Sequence, residues 1–269
     1  MKRISILGAI AGDIIGSKFE FIRPRMKEYD FDMFDNQHMT FTDDTVCTIA
    51  IADWILHDKK LLVENLVKLM QQWCRKYTGR GYGGRFYGWI YEDNPQPYNS
   101  WGNGSAMRVS PCGFAFDNLE KTLQVAKISA EFSHNHIKGI KGAQATAAAI
   151  FLARTGKTKQ EIKDYITDNF AYDLNHTCEE LKPTYRFHSS CQKTVPESII
   201  AFFDSKNYED AIRLTISLGG DTDTMGAITG PIAAAFYKEM PDNIYDFALS
   251  KLPEDMKEII SEFDNKFLK

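Results

Sequence analysis

The sequence predicts an all-α protein of many helices, on three observations. Apolar residues recur at helical spacing, helix-capping signals are frequent, and neither strict alternation nor a repeating strand–helix unit is present. Residues 44–58, DTVCTIAIADWILHD, have the length and apolar content of a mostly buried helix. Residues 61–76 follow, apolar at 62, 66, 69, 70 and 73. Thr158 and Glu161 form a capping box ahead of IKDYITDNF. Pro196 stands at a first helical position before ESIIAFFDS. Asp210 to Leu218 is a helix stopped by Gly219-Gly220. Pro253 starts an amphipathic tail, PEDMKEIISEFDNKFL. Loops are expected at 24–42, 77–114 and 171–196.

Small residues mark three of these segments. Gly8, Gly12 and Gly16 recur every four residues, as do Gly226, Gly230 and Ala234, and Gly142 leads AQATAAAIFLA. Glycine costs a helix roughly 1 kcal/mol against alanine. A repeated stripe therefore points to helix axes that approach closely and fix whatever polar groups stand at their ends.

The totals exclude several classes. The chain has 269 residues with no composition shift or linker, and is read as one domain, 1–269. Hydrophobic residues make up 43% and charged residues 25%, as in ordinary globular proteins, and the net charge of −4 speaks against nucleic acid as a partner. Five cysteines, with no C-x-x-C pair, speak against a disulfide framework or a cysteine zinc site and fit a reducing cytoplasm. The start, MKRISILGAIAGDIIGSKFE, faintly resembles a leader, but Asp13 interrupts its apolar run. No stretch approaches the 18 or so apolar residues of a membrane span. A cytoplasmic monomer is expected.

Two acidic clusters stand at two helix starts. FTDDT, residues 41–45, precedes VCTIAIADWIL, and GGDTDTMG, residues 219–226, precedes AITGPIAAAFY. N-capping and the helix dipole account for either cluster alone. Together they supply Thr42, Asp43, Asp44, Asp221, Asp223 and Thr224. If the two helix starts meet, four carboxylates converge and repel one another unless cations neutralise them. Hard oxygen donors of this kind suit Mg²⁺ or Mn²⁺, and four negative charges suit two divalent ions. Other signals are weaker. His134 and His136 lack a third soft ligand for zinc, and Arg80 and Arg85 lie in a glycine-rich loop that reads as substrate-lining rather than RNA-binding. GNGSAMR is a turn whose successive N–H groups can hold an anion. Phe19, Tyr82 and Trp101 read as core or as stacking surfaces.

Taken in order, GAIAGDIIGSKFE, FTDDT, GYGGRFYGWI, WGNGSAMR, SHNHIKGIKGAQATAAAIFLA, SCQKTVPESIIAF and GGDTDTMGAITG resemble the ADP-ribosylglycohydrolases, relatives of dinitrogenase reductase-activating glycohydrolase. The resemblance covers nearly the whole chain. It implies a compact multi-helix fold with a binuclear metal site at converging helix N-termini, holding two Mg²⁺ with Mn²⁺ as the alternative. It also implies hydrolysis of the bond between C1″ of ADP-ribose and an acceptor, either a modified protein or a small ADP-ribosyl compound. By the same resemblance Thr42, Asp43, Asp44, Asp221, Asp223 and Thr224 are metal ligands, and Glu20, with Asp43 and Asp223, is catalytic. Asn103, Gly104, Ser105 and His134 bind substrate. One departure stands out: Lys193-Thr194 replaces a family-like glycine-serine in SCQGSVP, so a different acceptor preference is expected. Two alternatives stay open, a non-catalytic ADP-ribose binding module and another metal-dependent hydrolase, acting on phosphoesters or on a small ADP-ribosyl compound.

Overall fold

Two small-residue stripes face each other at the centre of the molecule, and the other helices are arranged around them. The computed structural model describes residues 4–268. Their first half forms α1 (Leu7–Ser17), α2 (Asp43–His57), α3 (Val63–Lys76), α4 (Gly84–Tyr91), α5 (Gly104–Met107), α6 (Ser110–Ala115), α7 (Leu119–Glu131) and α8 (Ile137–Arg154). The second half adds α9 (Lys159–Phe170), α10 (Cys178–Leu181), α11 (Cys191–Asp204), α12 (Tyr208–Ser217), α13 (Thr222–Tyr237), α14 (Asp242–Ser250) and α15 (Glu254–Phe267). No strand forms among the described residues; one antiparallel bridge pairs Gly102 with Ser190. None of these helices is long and apolar enough to cross a membrane. All five cysteines are free and buried. The basic residues of the leader-like start, Lys2 and Arg3, lie outside the described residues.

α1 and α13 run antiparallel with their backbones in contact. A Cβ on Gly12 would sit 2.1 Å from the Gly226 carbonyl oxygen, and one on Gly226 would sit 2.3 Å from that of Gly12. Thr222 Oγ1 donates to the Gly16 carbonyl at 2.8 Å, and the buried Tyr208 hydroxyl donates to that of Gly8 at 2.7 Å. This register sets the first turn of α13 beside the last turn of α1. α8 packs against α11 by the same device: a Cβ on Gly142 would meet Cys191 Sγ at 2.4 Å.

The capping box of Thr158 and Glu161 is present, and α2, α3 and α15 fall within two residues of their expected limits. α12 starts two residues early because Asn207, not Asp210, caps it; its side chain accepts from the Asp210 N–H. Pro196 is not a first helical residue. It is the sixth residue of α11, whose polar first turn is held by tertiary bonds. The Cys191 N–H donates to the Trp101 carbonyl at 3.0 Å, and Cys191 Sγ to that of Gly102 at 3.1 Å. Such bonds offset the one that proline removes. The expected 77–114 loop also contains α4, α5 and α6. α4 buries only Phe86, Trp89 and Ile90 between glycines, too short a pattern to stand out from a loop in sequence.

The stripe predicts opposite outcomes for two Gly→Ala changes. Gly12→Ala forces two backbones apart and should cost about 3 kcal/mol or more. Gly88→Ala, in α4, meets nothing within 4 Å and should stabilise by about 0.5–1 kcal/mol. Urea unfolding of both variants checks the pair.

Candidate active site

The α1–α13 contact brings three chain segments to one end of a cavity of about 570 Å³. Asp13 follows the contact glycine Gly12 and is fully buried. It accepts from the Thr42 N–H at 3.0 Å, the Thr42 hydroxyl at 2.7 Å, the Thr45 N–H at 3.1 Å and the Thr45 hydroxyl. These bonds satisfy orphan donors at the start of α2 and lock that helix onto α1. Asp43 and Asp44 are therefore fixed in space, and α13 brings Asp223 to the same point. Glu20 follows the end of α1. The N-cap position of α13 is Asp221, whose Oδ2 accepts from Asn103 Nδ2 at 2.8 Å.

The carboxylates form two groups that share one member. Oxygens of Asp13, Asp44 and Asp223 lie within 4.8 Å of one another, and so do those of Glu20, Asp221 and Asp223. All but Glu20 are buried. Burial, then the charge of Asp223, pushes Glu20 from 4.5 up to about 9. Burial first, and neighbouring carboxylates second, also raise Asp44 and Asp223 well above the usual range. Asp43, beside them, is raised by burial and then by Asp13. Asp44 Oδ1 is buried with no hydrogen-bond partner among the described residues. A buried carboxylate oxygen without a donor, in a group of like charges, lacks a counter-charge. The donors are hard oxygens, with no histidine or cysteine in either group. The set fits a divalent cation of the Mg²⁺ or Mn²⁺ kind.

The expected site residues divide by position. Glu20, Asp43, Asp44, Asp221, Asp223 and Thr224 line the acidic end of the cavity. Asn103, Gly104 and His134 line the rest, with Arg85, Tyr98 and the exposed Trp101. Thr42 and Ser105 do not reach the cavity wall. The Thr42 hydroxyl is engaged by Asp13, and that of Ser105, fully buried, donates to the Gly139 carbonyl at 2.8 Å. Of the remaining aromatics, Phe19 is core and Tyr82 is half-buried, its hydroxyl donating to the Tyr77 carbonyl. His134 and His136 are not a metal pair: Nδ1 of His136 accepts from the Lys138 N–H as the cap of α8. Lys193 and Thr194 are also off the wall, which Phe187 and Ser189 supply from that segment. Thr194 acts behind it, its hydroxyl lying 3.3 Å from Asn103 Nδ2.

Sequence reasoning missed Asp13 as a site residue. The available signal was a carboxylate inside a helix whose other residues are glycine, alanine, isoleucine, leucine and serine. Such a group is buried and must have partners.

Known proteins resemble this chain over nearly its whole length. The sequence model of the ADP-ribosylglycohydrolase family matches residues 3–267. An "ADP-ribosylhydrolase ARH3" of Xenopus tropicalis is 24% identical over 304 residues, spanning 88% of this chain and 87% of that protein. An "ADP-ribosylarginine hydrolase Tri1" of Pseudomonas putida (strain GB-1) is 24% identical over 260 residues, spanning 87% of this chain and 69% of that protein. A solved structure titled "ADP-ribosylglycohydrolase-related protein complex" superimposes with a TM-score of 0.76 at 20% identity, covering 98% of this chain and 96% of that one, which shows the shared fold.

The crowded carboxylates make stability depend on pH with a defined sign. Glu20 holds its proton in the fold up to about pH 9 but loses it near its ordinary value of 4.5 when unfolded. Its contribution is complete below 4.5 and is lost as pH rises through about 9. The melting temperature of the metal-free protein should therefore fall between those limits. Mg²⁺ or Mn²⁺ should restore it, more at the alkaline end, because the cation replaces the protons. Asp44→Asn should melt higher without metal and gain less from it. Differential scanning fluorimetry across pH, with and without each ion, checks all three outcomes.

Proposed function

We propose that this chain, which belongs to the ADP-ribosylglycohydrolase family, hydrolyses the bond between C1″ of ADP-ribose and an acceptor, in a reaction that depends on two divalent cations. One observation carries the reading: Asp223 is shared by two carboxylate groups at one end of a cavity whose other end is glycine backbone and a neutral imidazole. An acidic end suits metal-held ribose hydroxyls, and a carboxylate-poor end suits pyrophosphate.

Asp44, Asp221 and Asp223 would hold the cations, with Asp43 and Thr224 beside them. Asp13, already accepting four hydrogen bonds, serves instead to fix the start of α2. Cations held there supply charge for the 2″ and 3″ hydroxyls and polarise water. Glu20 is the half-buried carboxyl of the group, in contact with the cavity. In its acid form it delivers a proton to the departing acceptor atom; as carboxylate it takes one from the attacking water. The bond to the acceptor breaks as positive charge builds at C1″ and the ring oxygen, which the surrounding carboxylates stabilise. Asn103, held by Asp221, keeps the glycine loop in place. Gly104 leaves room for substrate beside His134: a Cβ there would lie 3.1 Å from Nε2. Ser105 supports the loop from behind.

The acceptor is a protein side chain or a small ADP-ribosyl compound. Two of the similar proteins are named as an ADP-ribosylhydrolase and an ADP-ribosylarginine hydrolase. The test is release of free ADP-ribose from arginine-modified and serine-modified protein, with Mg²⁺ or with EDTA. Metal-dependent release from at least one substrate is expected. Glu20→Gln should lower kcat by about 10²–10⁴-fold while ADP-ribose still binds. Tight binding of ADP-ribose without release from any substrate would leave a binding module and sink the hydrolase reading; AMP or phosphate as product would sink the glycosidic reading.

A further inference from the structure

The carboxylate-poor part of the cavity wall includes a buried cation that the reaction above does not use. Arg108, at the end of α5, is 1% exposed, and among the described residues no carboxylate lies within 4.0 Å of it. Its guanidinium stands 4.4 Å from the ring centre of Phe132, and its Nε has no partner. Its NH2 group donates to Ser133 Oγ at 2.8 Å and to the Ser129 carbonyl at 3.3 Å. Ser133 Oγ in turn lies 2.9 Å from Nδ1 of His134.

These contacts fix the proton positions. Arginine only donates, so the Ser133 oxygen accepts from Arg108. Ser133 is fully buried, and its hydroxyl hydrogen has no acceptor among the described residues except His134 Nδ1. A hydroxyl that accepted from both neighbours would leave its own hydrogen buried and unmade, which is unfavourable. The hydroxyl therefore donates to Nδ1, and the imidazole proton is on Nε2. His134 is 6% exposed, and Nε2 is on the side of Gly102 and Gly104, where it has no hydrogen-bond partner among the described residues. Burial, then the Arg108 charge, holds the imidazole well below its usual value and keeps it neutral.

We propose that Arg108, acting through Ser133, is a positioning residue that fixes His134 as its Nε2–H tautomer and so turns a permanent hydrogen-bond donor towards the cavity. The acceptor is an atom of the bound nucleotide, which is the one point that rests on the ADP-ribose reading. An imidazole with the opposite tautomer would present a bare lone pair to the same atom.

Nitrogen-detected NMR of the full chain labelled with ¹⁵N-histidine tests the relay, with the His134 signals identified by their loss in His134→Gln. The expected spectrum has a protonated Nε2 and a bare Nδ1 for His134. ADP-ribose should shift the Nε2–H signal. Ser133→Ala and Arg108→Met should each give a mixture of tautomers and weaken ADP-ribose binding by about tenfold. A protonated Nδ1 in the unmodified protein overturns the proposal by itself, whether or not either variant folds. A pure Nε2–H signal retained in Ser133→Ala or in Arg108→Met overturns the role of the changed residue. An Nε2–H tautomer that ignores ADP-ribose supports the relay and counts instead against the ADP-ribose reading.

Discussion

The direct contact between α1 and α13 is the constraint on which the rest depends. With Gly12 against Gly226, nothing larger than hydrogen fits between the helices. That approach brings the start of α13 and the end of α1 together, and Asp13 then carries the start of α2 to the same place. A helix pair at ordinary spacing, 8–10 Å between axes, would separate the carboxylates by enough to weaken their coupling. The glycines cost helix stability locally. The return is a rigid site built on helices rather than on loops.

The site is electrostatically incomplete as protein alone. Carboxylates in two overlapping groups are raised by burial and by one another, and Asp44 Oδ1 finds no donor. Four hydrogen bonds donated to Asp13 offset part of what its burial costs. The crowding that destabilises the empty fold is what makes it receptive to hard cations. The opposite end of the cavity follows a different logic. There a buried arginine, with no carboxylate partner among the described residues, is linked through serine to histidine at the cavity wall. One cavity thus presents two kinds of surface.

Much of the site was legible in sequence because it is local. FTDDT and GGDTDTMG each put several oxygen donors on one helix start, and their redundancy as caps indicated a second purpose. The residues whose contacts no local pattern gives act through distant partners. Asp13 reads as a break in an apolar run, since its donors come from residues 42 and 45. The hydroxyls of Thr42 and Ser105 meet Asp13 and the Gly139 carbonyl, partners far away in the chain. Pro196 looks like a helix start because the bonds that hold the preceding turn come from the loop around Trp101.

By itself, then, the sequence determined the helical class, the stripes of small residues and the identity of the acidic clusters, because periodicity, capping and composition act over a few residues. Only the tertiary structure decided which carboxylate is shared between the two groups, which hydroxyls face the cavity and which groups His134 meets. Those outcomes depend on hydrogen bonds between groups far apart in the chain, and no local pattern encodes which donor meets which acceptor.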